Sequence, residues 1–564
     1  MPQSVLRRDR VLGMLPHALS DAALEDVLSI SKAELEAQDA DTLTVSVTPD
    51  RLDLLSEGGL GLYLEGATDV AKGLLRERVV EGPTPPPFFE VDPSVHSLRP
   101  AIAGVVVTAP TGGGLDAGLL EEAVRFQELL HATFGRDRRA ASLGIYPLER
   151  LDPPFRYALE PMSGVRFVPL ESSEEVTAEA FFRDHPLAQR YGALGRVDQH
   201  CLTLRDSQGT VLSLPPVLNS RTGGEARPGD RRLLLESTGM RERSVLETLG
   251  LLLVVFASRG WSVAPVALRT DGRVLSDGRS VFSARAIDLP TETLRAISGS
   301  AYPPSEVERR LARSRLGAHP HAGGWRVEVP PWRPDLLTAV DVAEDVILAG
   351  TVAPSDGILP ASRTRGRRRA ESVFRRRFRA VLLGLGFASP YTSVLVSETA
   401  VQRVRGARPI KIARPPSAEF AYLRDRLLLS HLEVLARNTR HGYPQLFGEV
   451  APVVVPDASA EAGGQTQYHA GVLIARESAG FADAAALLDY LFRYVDIVTV
   501  REPCELPGTI AGRAARVRVA GEAVGEMGEV DPGLLTALGV PVPVAWAELD
   551  LTRLYPLVAR REMA

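Results

Sequence analysis

Four acidic side chains lie close together in one proline-rich stretch of the chain, residues 329–345. They are Asp335, Asp341, Glu344 and Asp345. Three prolines hold the first half of the stretch extended, because proline fixes its own φ and disfavours helix in the residue before it. The second half has the apolar spacing of a helix, which places Asp341, Glu344 and Asp345 on one helical face. Asp335 lies upstream, where the chain can fold back onto that face.

Carboxylates gathered in this way repel one another, so the pattern predicts a cation beside them. Oxygen ligands of this kind suit Mg²⁺ or an arginine from a partner molecule. The alternative is a solvated helix start, where acidic residues complement the positive end of the helix dipole. Charge spacing alone favours this alternative. The helix itself is predicted from apolar residues at Leu337, Val340, Ile347 and Leu348.

The bulk composition excludes several classes of protein. The formal net charge is −5, so no global basic field points to a nucleic-acid partner, and only a local patch can serve that role. The two cysteines, Cys201 and Cys504, are far apart, which indicates a reducing compartment rather than a disulfide framework. The longest apolar run, residues 249–257, is too short to span a bilayer. We therefore expect a cytoplasmic protein without a membrane partner.

Common catalytic motifs are missing from the sequence. It contains no phosphate-binding P-loop, no nucleophile elbow and no helical zinc-protease motif. The ten histidines are scattered without the spacing of metal ligands. From these residues alone, the chain is a multidomain protein with an acidic cluster and no visible catalytic centre.

Hydrophobic patterning predicts a multidomain α+β protein. We divide the chain into four domains, at residues 1–81, 88–265, 284–353 and 360–564. The clearest linker is the proline-rich segment 82–87. In the second domain, which has an α/β pattern, polar residues end the buried strand 232–239, and such groups often line a pocket. Ordinary turn chemistry is the alternative explanation for them.

The expected elements follow from the periodicity of apolar residues and from capping signals. Predicted strands cover residues 42–47, 102–108, 141–146, 232–239, 514–519 and 544–549, and residues 211–220 are predicted to form a strand that runs into a rigid turn. Predicted helices cover residues 57–72, 119–134, 291–296, 304–313, 363–383 and 424–437, and Ser20 can cap a further helix. The helix at 363–383 is very basic. It can bind RNA phosphates or simply present arginines to solvent, and the sequence favours neither.

A series of short segments then follows in a distinctive order along the whole chain. The segments are residues 48–58, 99–100, 127–131, 143–145, 154–155, 212–220, 329–345, 384–387, 418–420, 512–515 and 526–532. Their residues and their order resemble the β subunits of phenylalanyl-tRNA synthetase of the archaeal and eukaryotic type. Each segment alone is a weak signal, and the ordered set is a strong one.

This resemblance implies an α₂β₂ heterotetramer that joins phenylalanine to its tRNA at the expense of ATP, with the synthetic site on the α subunit. It implies that residues 360–564 form a class II synthetase-like core without catalytic motifs. It also implies that residues 284–353 form a winged-helix-like module called B5. In that module the family binds Mg²⁺ at the boundary with the α subunit. The matching positions are Asp335, Asp341, Glu344 and Asp345.

Residues 88–265 resemble the family's editing domain, called B3/B4. Tyrosine differs from phenylalanine by one hydroxyl, which an apolar pocket rejects by only about 10²-fold, so a second site that hydrolyses Tyr-tRNA restores accuracy. The positions that match the editing site are Leu204, Ser213, Glu236 and Thr238. Position 236 is glutamate here, where the archaeal pattern usually has aspartate. The longer side chain predicts altered editing.

Departures from the family pattern favour two other hypotheses. The chain continues after Gly350 with Thr351-Val352-Ala353 instead of a Tyr-Gly-Tyr-like run, and Ala511 replaces a frequent proline. With Glu236, these departures suggest a divergent stand-alone paralogue that binds tRNA or edits in trans. A structural assembly protein that uses the class II-like dimer fold is the third hypothesis.

Overall fold

The structure is a computed structural model, and it describes residues 2–17, 19–76, 78–80, 86–282, 285–350, 365–404 and 409–562. Most of the predicted linker 82–87, the departure at 351–353 and the first residues of the predicted helix 363–383 lie outside these ranges. Residues 1–357 form one compact unit, and residues 358–564 form a second.

The first unit begins with an antiparallel sheet in the order β1-β3-β2. Its elements are β1 (Gln3–Arg7), α1 (Arg8–Leu12), α2 (Asp21–Ser29), β2 (Ala33–Gln38), β3 (Thr42–Val47) and α3 (Glu57–Ala67). The hydroxyls of Ser20 and Ser56 accept backbone N–H groups and cap α2 and α3, and the Ser20 cap is a predicted one. Helix α3 is shorter than the predicted 57–72, because Asp69 adopts a left-handed φ of 61° just after it.

Two facing sheets follow in the same unit. Their region contains β4 (Arg78–Val79), β5 (Phe88–Val91), β6 (Ala101–Thr108), α4 (Ala117–Ala132), β7 (Ala141–Pro147), β8 (Phe155–Pro161), β9 (Arg166–Phe167), β10 (Val176–Thr177), α5 (Ala178–Asp184), α6 (Pro186–Tyr191), β11 (Arg196–Val197), β12 (His200–Arg205), β13 (Val211–Leu214), β14 (Leu218–Asn219), α7 (Arg221–Gly224), β15 (Arg232–Gly239), α8 (Glu242–Ala257), β16 (Ser262–Pro265), β17 (Ala267–Thr270) and β18 (Arg273–Ser276). Strand β15 has the predicted bounds, and within the predicted segment 211–220 strand β13 ends at Leu214.

One sheet has the order β4-β16-β6-β15-β7, and the other runs β14-β13-β12-β8-β5-β17-β18 with β11 beside β12. One apolar core lies between the two sheets, with Leu234 and Tyr146 from the first and Leu204 and Leu212 from the second. Helices α4 and α8 bury their apolar sides in another core, which also contains Leu235 of β15. Strand β15 is therefore buried on both faces, which explains its unbroken apolar run.

The last part of the first unit is a small α+β region. It contains β19 (Arg285–Pro290), α9 (Thr291–Ser298), α10 (Pro304–Arg313), β20 (Gly317–His321), β21 (Gly324–Val329) and α11 (Ala339–Leu348). The strands form an antiparallel sheet in the order β19-β21-β20. Leu289, Leu311, Val327 and Val346 share its core. The acidic stretch connects β21 to α11.

The second unit is built on an antiparallel sheet in the order β25-β26-β30-β29-β28-β27. Its elements are α12 (Ala370–Gly384), β22 (Leu395–Val396), α13 (Glu398–Arg403), β23 (Ile410–Lys411), β24 (Tyr422–Leu423), α14 (Leu427–Arg437), β25 (Gln445–Pro456), β26 (Gly464–Ala475), α15 (Phe481–Tyr494), β27 (Val500–Pro503), β28 (Thr509–Val519), β29 (Glu522–Val530), α16 (Pro532–Ala537), β30 (Val544–Asp550) and α17 (Leu551–Glu562). Apolar residues of α12, α15 and α17 pack on one face of the sheet, and those of α14 pack on the other. Across the described part of the chain, no helix is long and apolar enough to cross a membrane.

Candidate active site and acidic cluster

A cavity of about 440 Å³ opens where the two facing sheets meet α4. Strand β7 is the edge of one sheet, and β13 and β14 lie at the edge of the other. Polar side chains from these elements converge on the cavity: Gln127, Glu128 and His131 from α4, Tyr146 from β7, Ser213 from β13, Asn219 from β14 and Glu236 from β15. The space is large enough for an amino-acid ester, and its polar lining can orient one.

Glu236 is the most unusual group in this cavity. It lies on β15 between β6 and β7, directly opposite Gly104 and Gly144. A Cβ on Gly144 would come within 2.6 Å of the Glu236 carboxylate, so glycine is needed beside the carboxylate. Burial raises the pKa of Glu236 to about 7, although the Tyr146 hydroxyl and the charge of Arg99 act in the opposite direction.

The Tyr146 hydroxyl connects Ser213 to Glu236. It donates to Glu236 Oε2 at 2.9 Å and lies 2.9 Å from Ser213 Oγ. The other carboxylate oxygen, Glu236 Oε1, is buried and makes no hydrogen bond with any described residue. A buried oxygen without a donor is costly, so this atom is prepared to accept a proton donor that enters the cavity.

A buried arginine supports the strand ends behind the cavity. Arg99 donates to Thr238 Oγ1 at 3.1 Å, to the Thr238 carbonyl at 2.6 Å and to Ser142 Oγ at 3.1 Å. Burial lowers the pKa of Arg99 to about 10. Arg99, which precedes β6, therefore holds the polar end of β15. This fixes the position of Glu236, two residues from Thr238 on the same strand.

The rim of the cavity is fixed by a second arginine. Arg138 donates to the carbonyls of Pro216 and Val217 at 3.1 and 2.8 Å, and to both oxygens of Glu128. His131 Nε2 accepts the Leu143 N–H at 2.8 Å, and burial lowers the pKa of His131, so its imidazole is neutral. These bonds tie the turn at residues 215–217 to α4 at the rim of the cavity.

The four positions that match the family's editing site have different environments. Ser213 and Glu236 line the cavity. Leu204 lies opposite Ser213 in the β12–β13 pair, fully buried in the core between the sheets. The Thr238 hydroxyl is engaged by Arg99 and Ser142. Their roles in editing stay predictions. Tyr146 and Arg99 were not among the predicted site residues, and for Tyr146 no local pattern indicates the role.

The acidic stretch has an internal cation. Arg333 donates to both oxygens of Asp335 at 2.8–3.2 Å and to both oxygens of Asp345 at 2.9 and 3.0 Å. The side chains of Arg333, Asp335 and Asp345 are at most 4% exposed. Burial opposes ionisation of Asp335, but the charge of Arg333 holds the pKa of Asp335 below its usual range. A nearby second pair, Arg51 with Asp53, adds to this buried charge network.

The other two acids of the stretch point elsewhere. Asp341 Oδ2 accepts the backbone N–H groups of Leu337 and Thr338 and closes the N-terminus of α11 in a capping box. Glu344 is exposed and pairs with Lys32 at 2.6 Å. Asp341, Glu344 and Asp345 lie at i, i+3 and i+4 within α11, as predicted, but each acid has its own partner in the chain.

The helix after the stretch also buries a different side from the one suggested by the sequence pattern. Leu337 and Val340 are 56% and 55% exposed, whereas Val342, Ala343 and Val346 are buried. The capping box starts the helix at Ala339, so Leu337 lies outside it. In the described residues, no group of three or more histidine, cysteine or acidic side chains is placed to hold a metal ion. In this conformation the four acids do not fit Mg²⁺, and the magnesium site stays a prediction.

Exposed arginines gather at the start of the second unit. They precede α12 and continue along it: Arg365, Arg367, Arg368, Arg369, Arg376, Arg377 and Arg379. Two phenylalanines, Phe374 and Phe378, form the buried side of the helix. The helix therefore presents a local basic patch on a chain whose net charge is negative, and both predictions for it, binding of RNA phosphates and plain solvent exposure, remain.

Models of two domain families match the chain. The tRNA synthetase B5 domain matches residues 287–350, which contain the acidic stretch. The phenylalanyl-tRNA synthetase β chain CLM domain matches residues 357–551. The chain is therefore built from domains of an aminoacyl-tRNA synthetase.

Relatives similar to the whole chain define the particular family. The phenylalanine–tRNA ligase β subunit of Korarchaeum cryptofilum is 30% identical over 555 residues, which cover 96% of this chain and 97% of the relative. That of Aeropyrum pernix is 31% identical over 560 residues and 98% of both chains. The chain belongs to the phenylalanine–tRNA ligase β-subunit family, and the predicted resemblance is confirmed.

A solved structure supports the fold of the first unit. An N-terminal fragment of the phenylalanyl-tRNA synthetase β subunit from Pyrococcus horikoshii has a TM-score of 0.57 and 24% identity. The match covers 62% of this chain and 99% of the fragment. The likeness concerns the fold, and it confirms the multidomain α+β architecture.

Proposed function

We propose that this chain, as the β subunit of phenylalanine–tRNA ligase, hydrolyses tRNA that carries tyrosine, in the cavity beside Glu236. The observation that carries the proposal is the buried Glu236 carboxyl, which has a pKa of about 7 and one oxygen without a donor, inside a 440 Å³ cavity. A general base works best when its pKa lies near the working pH. The region 88–265 would then act as the B3/B4-like editing domain.

The chemistry needs one water and one base. A water molecule that donates to Glu236 Oε1 loses that proton to the carboxylate as its oxygen bonds to the ester carbonyl carbon. The ester C–O bond then breaks, Glu236 gives its proton to the departing ribose oxygen, and tyrosine and free tRNA are released. Tyr146 holds the other carboxylate oxygen, which leaves Oε1 as the oxygen that can accept from the water.

The test uses the enzyme assembled with its α subunit. Wild-type enzyme should deacylate Tyr-tRNA, and Glu236→Gln should slow this step by about 10²-fold or more, because proton transfer by a positioned side chain contributes that much. Attachment of phenylalanine should not change. The matched control is Glu225→Gln, since Glu225 lines the same cavity and pairs with Arg227. Equal rates for Glu236→Gln and wild type would contradict the proposal.

The second part of the proposal concerns assembly. We infer an α₂β₂ heterotetramer in which residues 360–564 act as a class II-like core without a catalytic centre. The central antiparallel sheet with helices on both faces supports this. The region 284–353 would act as the winged-helix-like B5 module. Light scattering of the co-expressed subunits tests the stoichiometry, and Tyr-tRNA hydrolysis by the isolated chain would instead favour a stand-alone editing protein.

A further inference from the structure

A basic turn at the rim of the cavity has an unusual backbone. Arg136, Asp137 and Arg138 follow α4, and their φ values are 51°, 56° and 63° in succession. The left-handed region is costly for residues that carry a Cβ, and such residues rarely adopt it several times in a row. Backbone strain of this kind persists where surrounding contacts impose it, and it is often found at functional sites.

Two side chains of the turn anchor it to its surroundings. The Arg138 guanidinium binds Glu128 and lies over the ring of Tyr191, with 4.5 Å to the ring centroid. Asp137 Oδ1 accepts hydrogen bonds from the Tyr191 hydroxyl and from Arg190, both at 3.1 Å. These contacts fix the middle of the turn, and they therefore also fix where the residues on either side of it emerge.

The residues on either side are both arginines, and both are free. Arg136 and Arg139 are exposed, and their side chains make no hydrogen bond or ion pair with any residue that the structure describes. The acids that contact the turn, Glu128 and Asp137, already have arginine partners. The turn therefore carries two uncompensated positive charges within two residues of Arg138, which lines the cavity.

We propose that Arg136 and Arg139 bind phosphate groups of the single-stranded 3′ end of tRNA and so position its ester in the cavity. The inference rests on the proposed editing function, in which the ester arrives on an RNA strand whose phosphates lie behind it. Guanidinium groups suit this ligand, because their planar donors match phosphate oxygens. The anchored turn holds both charges in place before the RNA arrives, which reduces the entropy lost on binding.

The test measures Tyr-tRNA hydrolysis by the enzyme assembled with its α subunit. Arg136→Gln with Arg139→Gln should raise KM about tenfold, the loss expected for contacts to charged groups at an exposed site. The value of kcat should not change, because the arginines hold the substrate equally before and during the reaction. The salt dependence of kcat/KM should fall by about 1.4 units of slope, at roughly 0.7 for each phosphate of a single strand.

Two controls separate phosphate binding from other effects. The tyrosyl ester of adenosine contains no phosphate, so its hydrolysis should be the same in wild type and in the double variant. Arg156→Gln with Arg183→Gln removes the same charge from exposed arginines of the same region that have acidic partners, and it should leave KM for Tyr-tRNA unchanged. Arg136→Gly suits the left-handed φ without strain, so it tests the charge rather than the turn, and it should also raise KM.

The outcomes distinguish this inference from the proposed function. If Glu236→Gln slows hydrolysis but the arginine variants behave like the control, only the inference is overturned. It is also overturned if the double variant lowers kcat without raising KM, hydrolyses the adenosine ester as poorly as Tyr-tRNA, or no longer assembles with the α subunit. Absence of Tyr-tRNA hydrolysis by wild type would overturn the proposed function and, with it, the inference.

Discussion

Replacement of Arg333 is the sharpest test of the view that the acidic stretch carries its own cation. Arg333→Met keeps most of the aliphatic volume but removes the charge and every donor to Asp335 and Asp345. Both carboxylates are then left in a buried site. Arg51, a nearby cation, already forms two hydrogen bonds with Asp53.

The magnitude follows from what the two acids can do without a partner. Loss of one member of a buried ion pair costs roughly 3–5 kcal/mol. A carboxyl can avoid the cost by taking up a proton, which at pH 7 costs about 4 kcal/mol from an ordinary pKa of 3.8. Arg51 still stabilises the remaining charge, so we expect Arg333→Met to lose stability near the lower end of that range, about 3 kcal/mol at pH 7. At pH 5 protonation costs only about 1.6 kcal/mol, so the loss should shrink accordingly.

Amide hydrogen exchange in α11, residues 339–348, is the suitable assay, because it reports local opening in a chain that does not unfold as one unit. The exchange rate in α11 should rise about 10²-fold in Arg333→Met at pH 7 and less at pH 5, after correction for the intrinsic pH dependence of exchange. Arg326→Met is the matched control, since Arg326 and its partner Asp288 are about half exposed and should contribute little. Adding Asp335→Asn and Asp345→Asn to the Arg333→Met chain should restore much of the protection.

Magnesium provides the opposite test. If Arg333 replaces the metal, millimolar Mg²⁺ should slow exchange in Arg333→Met, where the two acids are free, and should not affect wild type. The reasoning is refuted if Mg²⁺ protects the wild type equally, or if Arg333→Met and Arg326→Met exchange alike.

Three further predictions concern separate parts of the chain. The pKa of Glu236 is raised from 4.5 to about 7 on folding. Its contribution to the free energy of unfolding is therefore fully present below pH 4.5, and about 3 kcal/mol of it is lost as the pH rises to 7. Urea unfolding at several pH values should show a flatter dependence of this free energy on pH for Glu236→Gln. Replacing Arg376 and Arg377 by glutamine should reduce the salt dependence of tRNA binding by nearly one unit of slope per lost phosphate contact, whereas Arg518→Gln, which loses a pair with Glu502, should not. Asp341→Asn should cost about 1 kcal/mol as a lost helix cap, seen as faster exchange in the first turn of α11.

Local sequence signals predicted the elements well. Strand β15 was predictable because a buried run of apolar residues ends in small polar groups, and α10 because a proline opens an amphipathic segment. Helix ends were less predictable. Helix α12 begins at Ala370 rather than at 363, and the arginines before it do not form a described helix. Like charges in succession repel, and no apolar face anchors that segment before Phe374.

The candidate sites were predictable only in part, because their contacts join distant positions. Tyr146 meets Ser213 across 67 residues and Glu236 across 90, and these contacts exist only once two sheets pack face to face. The Arg333 site combines a contact two residues away with one twelve residues away. The charge pattern predicted a cation from outside the chain, either Mg²⁺ or an arginine of a partner molecule. It did not identify Arg333 of the same stretch as a partner of two of the acids, because the turn between Arg333 and Asp345 is set by the packing of α11.

Both sites satisfy buried carboxylates with a donor from the chain itself. Arg333 serves Asp335 and Asp345, and Tyr146 serves Glu236. This arrangement lets the chain fold before any metal, partner or substrate arrives, because an unpaired buried carboxylate would otherwise oppose folding. The arrangement also weakens later binding, because a ligand that needs the oxygens bonded to Arg333 or Tyr146 must first displace that internal donor. The observed affinity of Asp335 and Asp345 for a cation should therefore rise when Arg333 is removed, even though the chain becomes less stable.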